Sequence, residues 1–200
     1  MIINMNDLRS RERYAWITSS VIPRPIAFVS TISEKGVTNL APFSYFNAVS
    51  SRPPILSIAI GPKRGGVVKD TLANIEATRE LVVNVVTEEI ARPMVETSGD
   101  WDPDISEFEI SGLTPVASTT VKPPRVQESP ISFECLLHEI IRVGEPSTCL
   151  VLAEIVMVHV DERVLTDGLP DPQKVRPLAR LSGNGYARLG ELIEIERPVV

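Results

Sequence analysis

The sequence predicts a mainly β protein, with about six antiparallel strands in a closed or split barrel and a few short helices. Three observations lead there. The apolar residues gather in short runs rich in Ile, Val and Phe, bounded by Pro and Gly. The first runs lie too close together for the crossover helix that a parallel sheet needs between strands. Proline is also frequent, at 17 of 200 residues against an ordinary level of about 5%, which favours many short elements over a bundle of long helices.

Taken in order, Ile26 to Ile32 is β-rich, and Glu34-Lys35-Gly36 turns it into a second run from Val37 to Val49, so the pair reads as a hairpin. Arg52-Pro53-Pro54 precedes a third strand, Ile55 to Ile60, and Gly61-Pro62 and Gly65-Gly66 mark a loop. Val68, Leu72 and Ile75 form a one-faced stripe that predicts a helix capped by Asp70 or Thr71 and ending near Thr78. Leu81 to Val86 is a fourth strand. A second helix begins about Thr87-Glu88-Glu89, with Pro93 either kinking it or lying in its first turn.

The segment from Trp101 to Pro130 has little apolar periodicity and reads as a long surface excursion (about 97–130) within one domain spanning 1–200. Ile131 to Val143 and Leu150 to Val160 are the fifth and sixth strands. The second of these is so continuously apolar that burial on both faces is expected, by a barrel interior on one side and a helix or second subunit on the other. A turn-rich stretch follows, and a last short strand is expected around Leu192 to Ile195.

Composition excludes several function classes. A hydrophobic content of 43% supplies a core. The net charge of −6 argues against general nucleic-acid binding. No apolar run approaches the roughly 20 residues of a membrane span, and the N-terminus shows no secretory pattern, so a cytoplasmic protein is expected. Two cysteines, Cys135 and Cys149, make no disulfide scaffold. Cys135 and His138 sit in a strand without CxxC spacing and read as buried structure, not zinc ligands.

The familiar catalytic patterns GxSxG, HExxH, Walker loop and GxGxxG are absent from the sequence. His138 and His159 lie within strand runs and read as structural. Asp100, Asp102 and Asp104 alternate around Pro103 without the rest of a calcium loop, and read as solvated.

Two segments carry chemistry instead. Between Thr38 and Ser51, Asn39, Ala41, Phe43, Tyr45 and Asn47 share one face, so amides and aromatics line up beside Pro42, which cannot donate to a ladder. Such an edge suits a flat heteroaromatic ligand; an ordinary barrel strand with a few polar residues fits the pattern as well. Lys69-Asp70-Thr71 opens the predicted helix, where free N–H groups and positive charge favour a phosphate. Simple capping by Asp70 with a solvated Lys69 is the alternative. Together the two segments describe a flavin mononucleotide.

The order of these segments resembles a known family. Pro23-Arg24-Pro25-Ile26-Ala27-Phe28-Val29-Ser30-Thr31, Thr38 to Asn47, Ser51-Arg52-Pro53-Pro54, Lys69 to Ile75, Glu128-Ser129-Pro130, Phe133-Glu134-Cys135 and Arg180 to Gly190 look like the flavin reductase-like, FMN-binding split-barrel proteins, nearest their flavoredoxin-type branch. The resemblance implies a six-stranded antiparallel Greek-key split β-barrel with two or three short helices. It further implies a homodimer, FMN near the subunit interface, and NAD(P)H-dependent flavin reduction with electrons passed to a downstream acceptor. A flavoredoxin-like electron carrier that passes electrons to a redox protein, without nicotinamide activity, is the alternative.

Carried over by position, the strand from Thr38 through Asn39, Leu40, Ala41, Ser44, Tyr45 and Phe46 to Asn47 lies along the flavin ring. Its backbone amides, with Asn39, Ser44 and Asn47, meet the pyrimidine edge. Thr31, Lys69 and Thr71 serve the phosphate and ribityl tail, Asp70 fixes the helix start, and Tyr186 and Arg188 are candidates for closing the site, from this chain or from its partner. Catalytic side chains are not required, because the flavin supplies the chemistry. The sequence departs from the family at Gly144-Glu145-Pro146-Ser147, where nicotinamide-using members often carry Gly-Asp-His. That departure bears on the use of NADH or NADPH, not on FMN.

Overall fold

The computed structural model describes residues 1–145 and 148–198. Its centre is one antiparallel sheet, and the expected first hairpin starts it. Strand β1 (Ala27–Ile32) turns through Gly36, whose φ of 87° suits a residue without Cβ, into β2 (Thr38–Phe43). The Ser33 N–H donates to Val37 O and the Gly36 N–H to Ser33 O, both at 2.9 Å.

The run expected to continue to Val49 breaks at Ser44-Tyr45. It becomes two strands, β2 and β3 (Phe46–Ser51). β3 pairs with β4 (Pro54–Ile60), whereas β2 stays with β1. The remaining members are β5 (Glu80–Val85), β8 (Ile131–Val143) and β9 (Thr148–Val160), in the order β2-β1-β5-β8-β9-β4-β3. The sheet therefore has seven strands instead of six. Its two edge strands, β2 and β3, are consecutive in the chain. From Phe43 to Phe46 the backbone spans at most about 11 Å, so the sheet must roll until its edges meet. The Ala59 N–H donates to Tyr45 O at 2.8 Å, which extends the β3–β4 pairing into the link.

Rolling creates an interior filled by Val29, Phe43, Ile58, Leu81, Val83, Cys135, Val151 and their neighbours. Helix α1 (Ser10–Ser20) precedes the sheet. Its apolar residues Tyr14, Trp16 and Ile17 are all exposed, so it lacks the buried stripe by which sequence reveals a helix, and it was not predicted. Helix α2 (Asp70–Thr78) ends where expected and buries Leu72 and Ile75 in the interior, while Val68 lies outside the helix and exposed. Helix α3 (Ala91–Glu96) starts later than Thr87 and holds Pro93 in its first turn, where a missing N–H costs nothing.

The 97–130 excursion is not a free surface loop. It contains α4 (Glu107–Ser111) and the short pair β6 (Pro115–Val116) and β7 (Arg125–Val126). Phe108, Leu113 and Val126 pack with Phe28, Leu40 and Met94 in a second apolar cluster, on the outer face of β1 and β2. The strand buried on both faces is thus β1. In β9 buried and partly exposed residues alternate, and Val156 and Val158 stay exposed.

Polar side chains pin this cover to the sheet. The buried Asn84 amide donates to Phe28 O at 3.0 Å and accepts from the Val126 N–H at 3.0 Å and the Ser132 hydroxyl at 2.8 Å. Glu134 is 0% exposed. Its carboxylate accepts from the Thr119 and Thr120 N–H groups at 2.6 Å, from Val121 N–H at 3.1 Å and from the Thr120 hydroxyl, and it meets His159 Nε2 at 2.5 Å. Burial opposes its ionisation, but these hydrogen bonds outweigh burial and hold the carboxyl at about 2. His159 is the structural residue expected. His138 is half exposed, with Glu154 at 3.9 Å. Both cysteines are free and buried, and burial pushes the Cys135 thiol up to about 12.

After β9 come the pair β10 (Leu165–Thr166) and β11 (Leu169–Pro170), helix α5 (Pro172–Val175), and the pair β12 (Leu178–Arg180) and β13 (Tyr186–Arg188). Residues 192–195 form no strand: they find no pairing partner among the described residues, and Ile193 and Ile195 are exposed. No described helix is long and apolar enough to cross a membrane.

The depressed Glu134 carboxyl stabilises the fold fully above its unfolded value of about 4.3, and this contribution is lost as the pH falls toward about 2. Glu134→Gln should lower the urea-unfolding free energy at pH 7 by about 3 kcal/mol and flatten its acid dependence over that window. A variant with the wild-type acid limb would show that the clasp contributes nothing.

Candidate functional site

The site forms where the rolled edges meet the start of α2. Two amide–hydroxyl bonds stitch α2 to the sheet. Asn39 Nδ2 on β2 donates to Thr71 Oγ1 at 3.0 Å, and Asn74 Nδ2 donates to Thr31 Oγ1 at 3.1 Å. In both the hydroxyl accepts, so its own proton stays free for a further acceptor.

The residue flanking the helix start is Lys69. It places no side-chain cap on the first turn. Asp70 is the first helical residue, and its carboxylate pairs with Lys63 Nζ at 2.5 Å instead of capping. The helix end therefore keeps free N–H groups, and Lys63 neutralises the one acid in its first turn. Lys63, Lys69, Asp70 and Thr71 line one cleft with Asn39, and Glu107 lies at its wall.

That cleft opens a series of recesses along the strand. Pro42, Phe43 and Ser98 are shared with a second recess of about 140 Å³, which Ser44, Arg180 and Tyr186 complete. Ser44 is shared in turn with a third, of about 350 Å³, bordered by Tyr45, Phe46 and Asn47. These adjoining recesses form a groove along residues 39 to 47 that is partitioned at the residues they share, with two lysines and an uncapped helix start at one end.

The expected residues divide as follows. Asn39, Ala41, Ser44, Tyr45, Phe46, Asn47, Lys69, Asp70 and Thr71 line the groove, and Tyr186 joins them from the same chain. Thr31 stands behind α2 with its hydroxyl held by Asn74. Thr38 and Leu40 are engaged by α4: the Thr38 and Ser106 hydroxyls lie 2.7 Å apart, and the Leu40 N–H donates to Glu107 Oε2 at 2.9 Å. Because the chain breaks at Ser44, Asn39 and Asn47 do not share a face. Asn47 is exposed on β3, where its side-chain oxygen accepts from the Ala48 N–H at 2.8 Å. Arg188 turns away to Glu88, at 3.3 Å. The loop at Gly144 to Ser147 lies partly outside the described residues.

Sequence reasoning missed Lys63, Glu107 and Arg180. Each acquires its place only when a distant segment folds back, and none stands in a periodic pattern. Glu107 belongs to an acid-rich stretch that reads as solvated, yet docking of α4 on β2 buries it. Burial pushes its carboxyl above the ordinary range, against the pull of the Leu40 N–H. A larger concavity, about 380 Å³ around Thr87, Glu88, Asp161 and Arg176, lies elsewhere, and in it Arg176 pairs with Glu88 at 2.8 Å and Arg163 with Asp161 at 2.5 Å.

The rolled antiparallel sheet thus sets an uncapped helix start beside a groove of mixed polar and apolar lining. The chain belongs to the family described as flavin reductase like domain, whose model matches residues 18–179. It is 36% identical to nitrilotriacetate monooxygenase component B from Bacillus cereus, over 98% of each chain with a TM-score of 0.94. It is 35% identical to 2-nitrobenzoate 2-nitroreductase from Pseudomonas fluorescens, over 99% of this chain and 96% of that one, with a TM-score of 0.90. Its fold is also that of the flavoredoxin of Desulfovibrio vulgaris, at 24% identity over 88% and 91% of the two chains and a TM-score of 0.76.

Glu107→Ala should cost about 1–3 kcal/mol in urea unfolding, because it strands the buried Leu40 N–H. Ser106→Ala, whose partner Thr38 is only partly buried, should cost less. Equal costs would mean that Glu107 is not what holds α4 to the sheet edge.

Proposed function

We propose that this chain is a flavin-dependent oxidoreductase that binds FMN in the groove along residues 39–47. In this reading it accepts electrons from NADH or NADPH and passes them to a downstream acceptor. The observation that carries the reading is the coincidence of that groove with an uncapped helix start flanked by Lys63 and Lys69. The residues present fit the cofactor. Thr71 offers an undirected hydroxyl proton, Lys69 a full charge and the first turn of α2 its N–H groups, which is the donor set a phosphate monoester needs.

When bound, the flavin supplies the redox chemistry. The chain's own residues have simpler tasks. Lys63 neutralises Asp70, so that an anion meets no uncompensated negative charge in the first helical turn. Glu107 and Ser106 hold β2 against α4 and keep the groove wall in place. Tyr186, with the Arg180 guanidinium carbon 4.7 Å from its ring centroid, lines the middle of the groove. Phe43 and Pro42 present an apolar surface there.

The reading takes the rolled sheet as a Greek-key split barrel in a cytoplasmic homodimer. Apolar residues exposed on α1, on the outer face of β9 and in the C-terminal segment supply a surface for the second copy. A second reading, a bound-FMN electron carrier serving a redox protein, is favoured by one observation: the sequence at Gly144-Glu145-Pro146-Ser147 lacks the histidine that often accompanies nicotinamide use in this family.

The purified protein should be yellow, with a flavin absorption spectrum, and should release FMN on denaturation; a colourless protein that leaves FMN fluorescence unquenched would overturn the proposal. Lys69→Ala should weaken FMN binding by about 1.5–3 kcal/mol in a fluorescence titration. Steady-state NAD(P)H oxidation with saturating FMN separates the two readings, since turnover marks the reductase and its absence the carrier.

A further inference from the structure

The anion end of the groove contains a carboxyl that its architecture does not require. Glu107 is 6% exposed. Its Oε2 accepts from the Leu40 N–H at 2.9 Å and so ties α4 to the sheet edge. A glutamine carbonyl would accept that bond without a charge. Its other oxygen, Oε1, receives no hydrogen bond from another residue among the described residues. The buried side-chain atoms that are both sealed and unpartnered among those residues are Arg24 Nε and Thr87 Oγ1. Oε1 is not one of them. It therefore keeps accessible surface, and the space that Glu107 lines is the cleft at the start of α2.

That cleft holds about 50 Å³, room for roughly three or four water-sized atoms. A tetrahedral anion seated at the helix start therefore touches the opposite wall as well. The charged groups that face the space are Lys63, Lys69, Asp70 and Glu107. Lys63 is held by Asp70 at 2.5 Å, which leaves Lys69 to balance both Glu107 and an incoming anion. Burial pushes the Glu107 carboxyl above its ordinary range and Asp70 adds to this, against the pull of the Leu40 N–H, its own N–H and Lys63. A second anion brought against Oε1 disfavours the carboxylate further, because two negative oxygens meet stably only with a proton between them.

We infer that Glu107 is a specificity residue that selects a phosphate monoester by sharing one proton with it, between Oε1 and a phosphate oxygen. The inference rests on the function proposed above, in which that monoester is the terminal phosphate of FMN. The shared proton is taken from solvent as the site fills. A monoester suits such a bond because its second ionisation lies at about 6, so the phosphate and a buried carboxyl hold the proton on comparable terms. The diphosphate of FAD has no oxygen that takes a proton near neutrality, and the carboxyl must then carry the proton alone. Glu107 thus favours FMN over FAD and makes FMN binding weaken as the pH rises.

The probes are FMN, FAD and riboflavin, each titrated by fluorescence quenching between about pH 6.5 and 8.5, where the second phosphate ionisation of FMN is complete or nearly so. FMN affinity should fall about five- to tenfold per pH unit in the upper part of that range, the slope of one proton taken up on binding. Riboflavin, which has no phosphate, should show no such slope. Calorimetric titration of the wild-type protein in buffers of different ionisation enthalpy should count about one proton taken up per FMN and none per riboflavin. Glu107→Gln keeps an acceptor for the Leu40 N–H but cannot take up a proton; it should flatten the FMN slope and narrow the preference for FMN over FAD. The proton count needs no variant, so it decides the matter even where Glu107→Gln fails to fold. FMN that binds without proton uptake, or a variant that keeps the wild-type slope, would overturn this inference and leave the proposed function standing. FMN that fails to bind at any pH overturns both.

Discussion

The two-residue link Ser44-Tyr45 is the constraint on which the architecture rests. It joins the two edge strands of a seven-stranded sheet, and so short a span cannot bridge a flat sheet of that width. The sheet has to roll, the interior has to close, and the seam has to pass through this point. The groove follows the same seam. Its recesses meet at Pro42, Phe43 and Ser44, where β2 ends and the chain crosses to β3. In the proposed reading, this edge, which would otherwise invite strand addition, is where the flat cofactor lies.

Once the sheet rolls, its outer face beside β1 needs a cover, because Phe28 and Leu40 point outward and are apolar. The 97–130 excursion supplies it. Apolar contact through Phe108, Leu113 and Val126 provides the driving force, and buried polar groups provide the register. Asn84 and Glu134 each accept from backbone N–H groups of the excursion, so the segment can dock in only one alignment. Alignment there sets alignment at α4, whose Ser106 flank and Glu107 side chain reach the groove strand at Thr38 and Leu40. Buried polar residues some distance from the groove therefore help to shape its wall.

Charge is arranged in the same economical way. The anion end of the groove holds two lysines and two acids, but Asp70 is paired with Lys63, while burial disfavours the charged form of Glu107. The uncapped first turn of α2 adds its partial positive charge to Lys69. At the opposite end, the buried Arg24 guanidinium donates to carbonyls of Thr18, Val21 and Leu181.

Much of this was legible in the residues. The apolar runs located most strands, Gly36 marked the hairpin, and Lys69-Asp70-Thr71 marked the start of α2, because each of these depends on local backbone chemistry or on periodicity within a few residues. Helix α1 escaped because its apolar residues face solvent, and the role of the excursion escaped because its apolar residues are too scattered to show a period. Sequence by itself determined the class of fold, the segment that runs along the groove and the helix that opens beside it. Tertiary structure alone decided that Lys63 answers Asp70, that Glu107 is buried against Leu40, that Asn39 and Asn47 part company at Ser44, and that Arg24 donates to backbone carbonyls. Each of those depends on segments that meet only after the sheet has rolled, and no spacing along the chain encodes such a meeting.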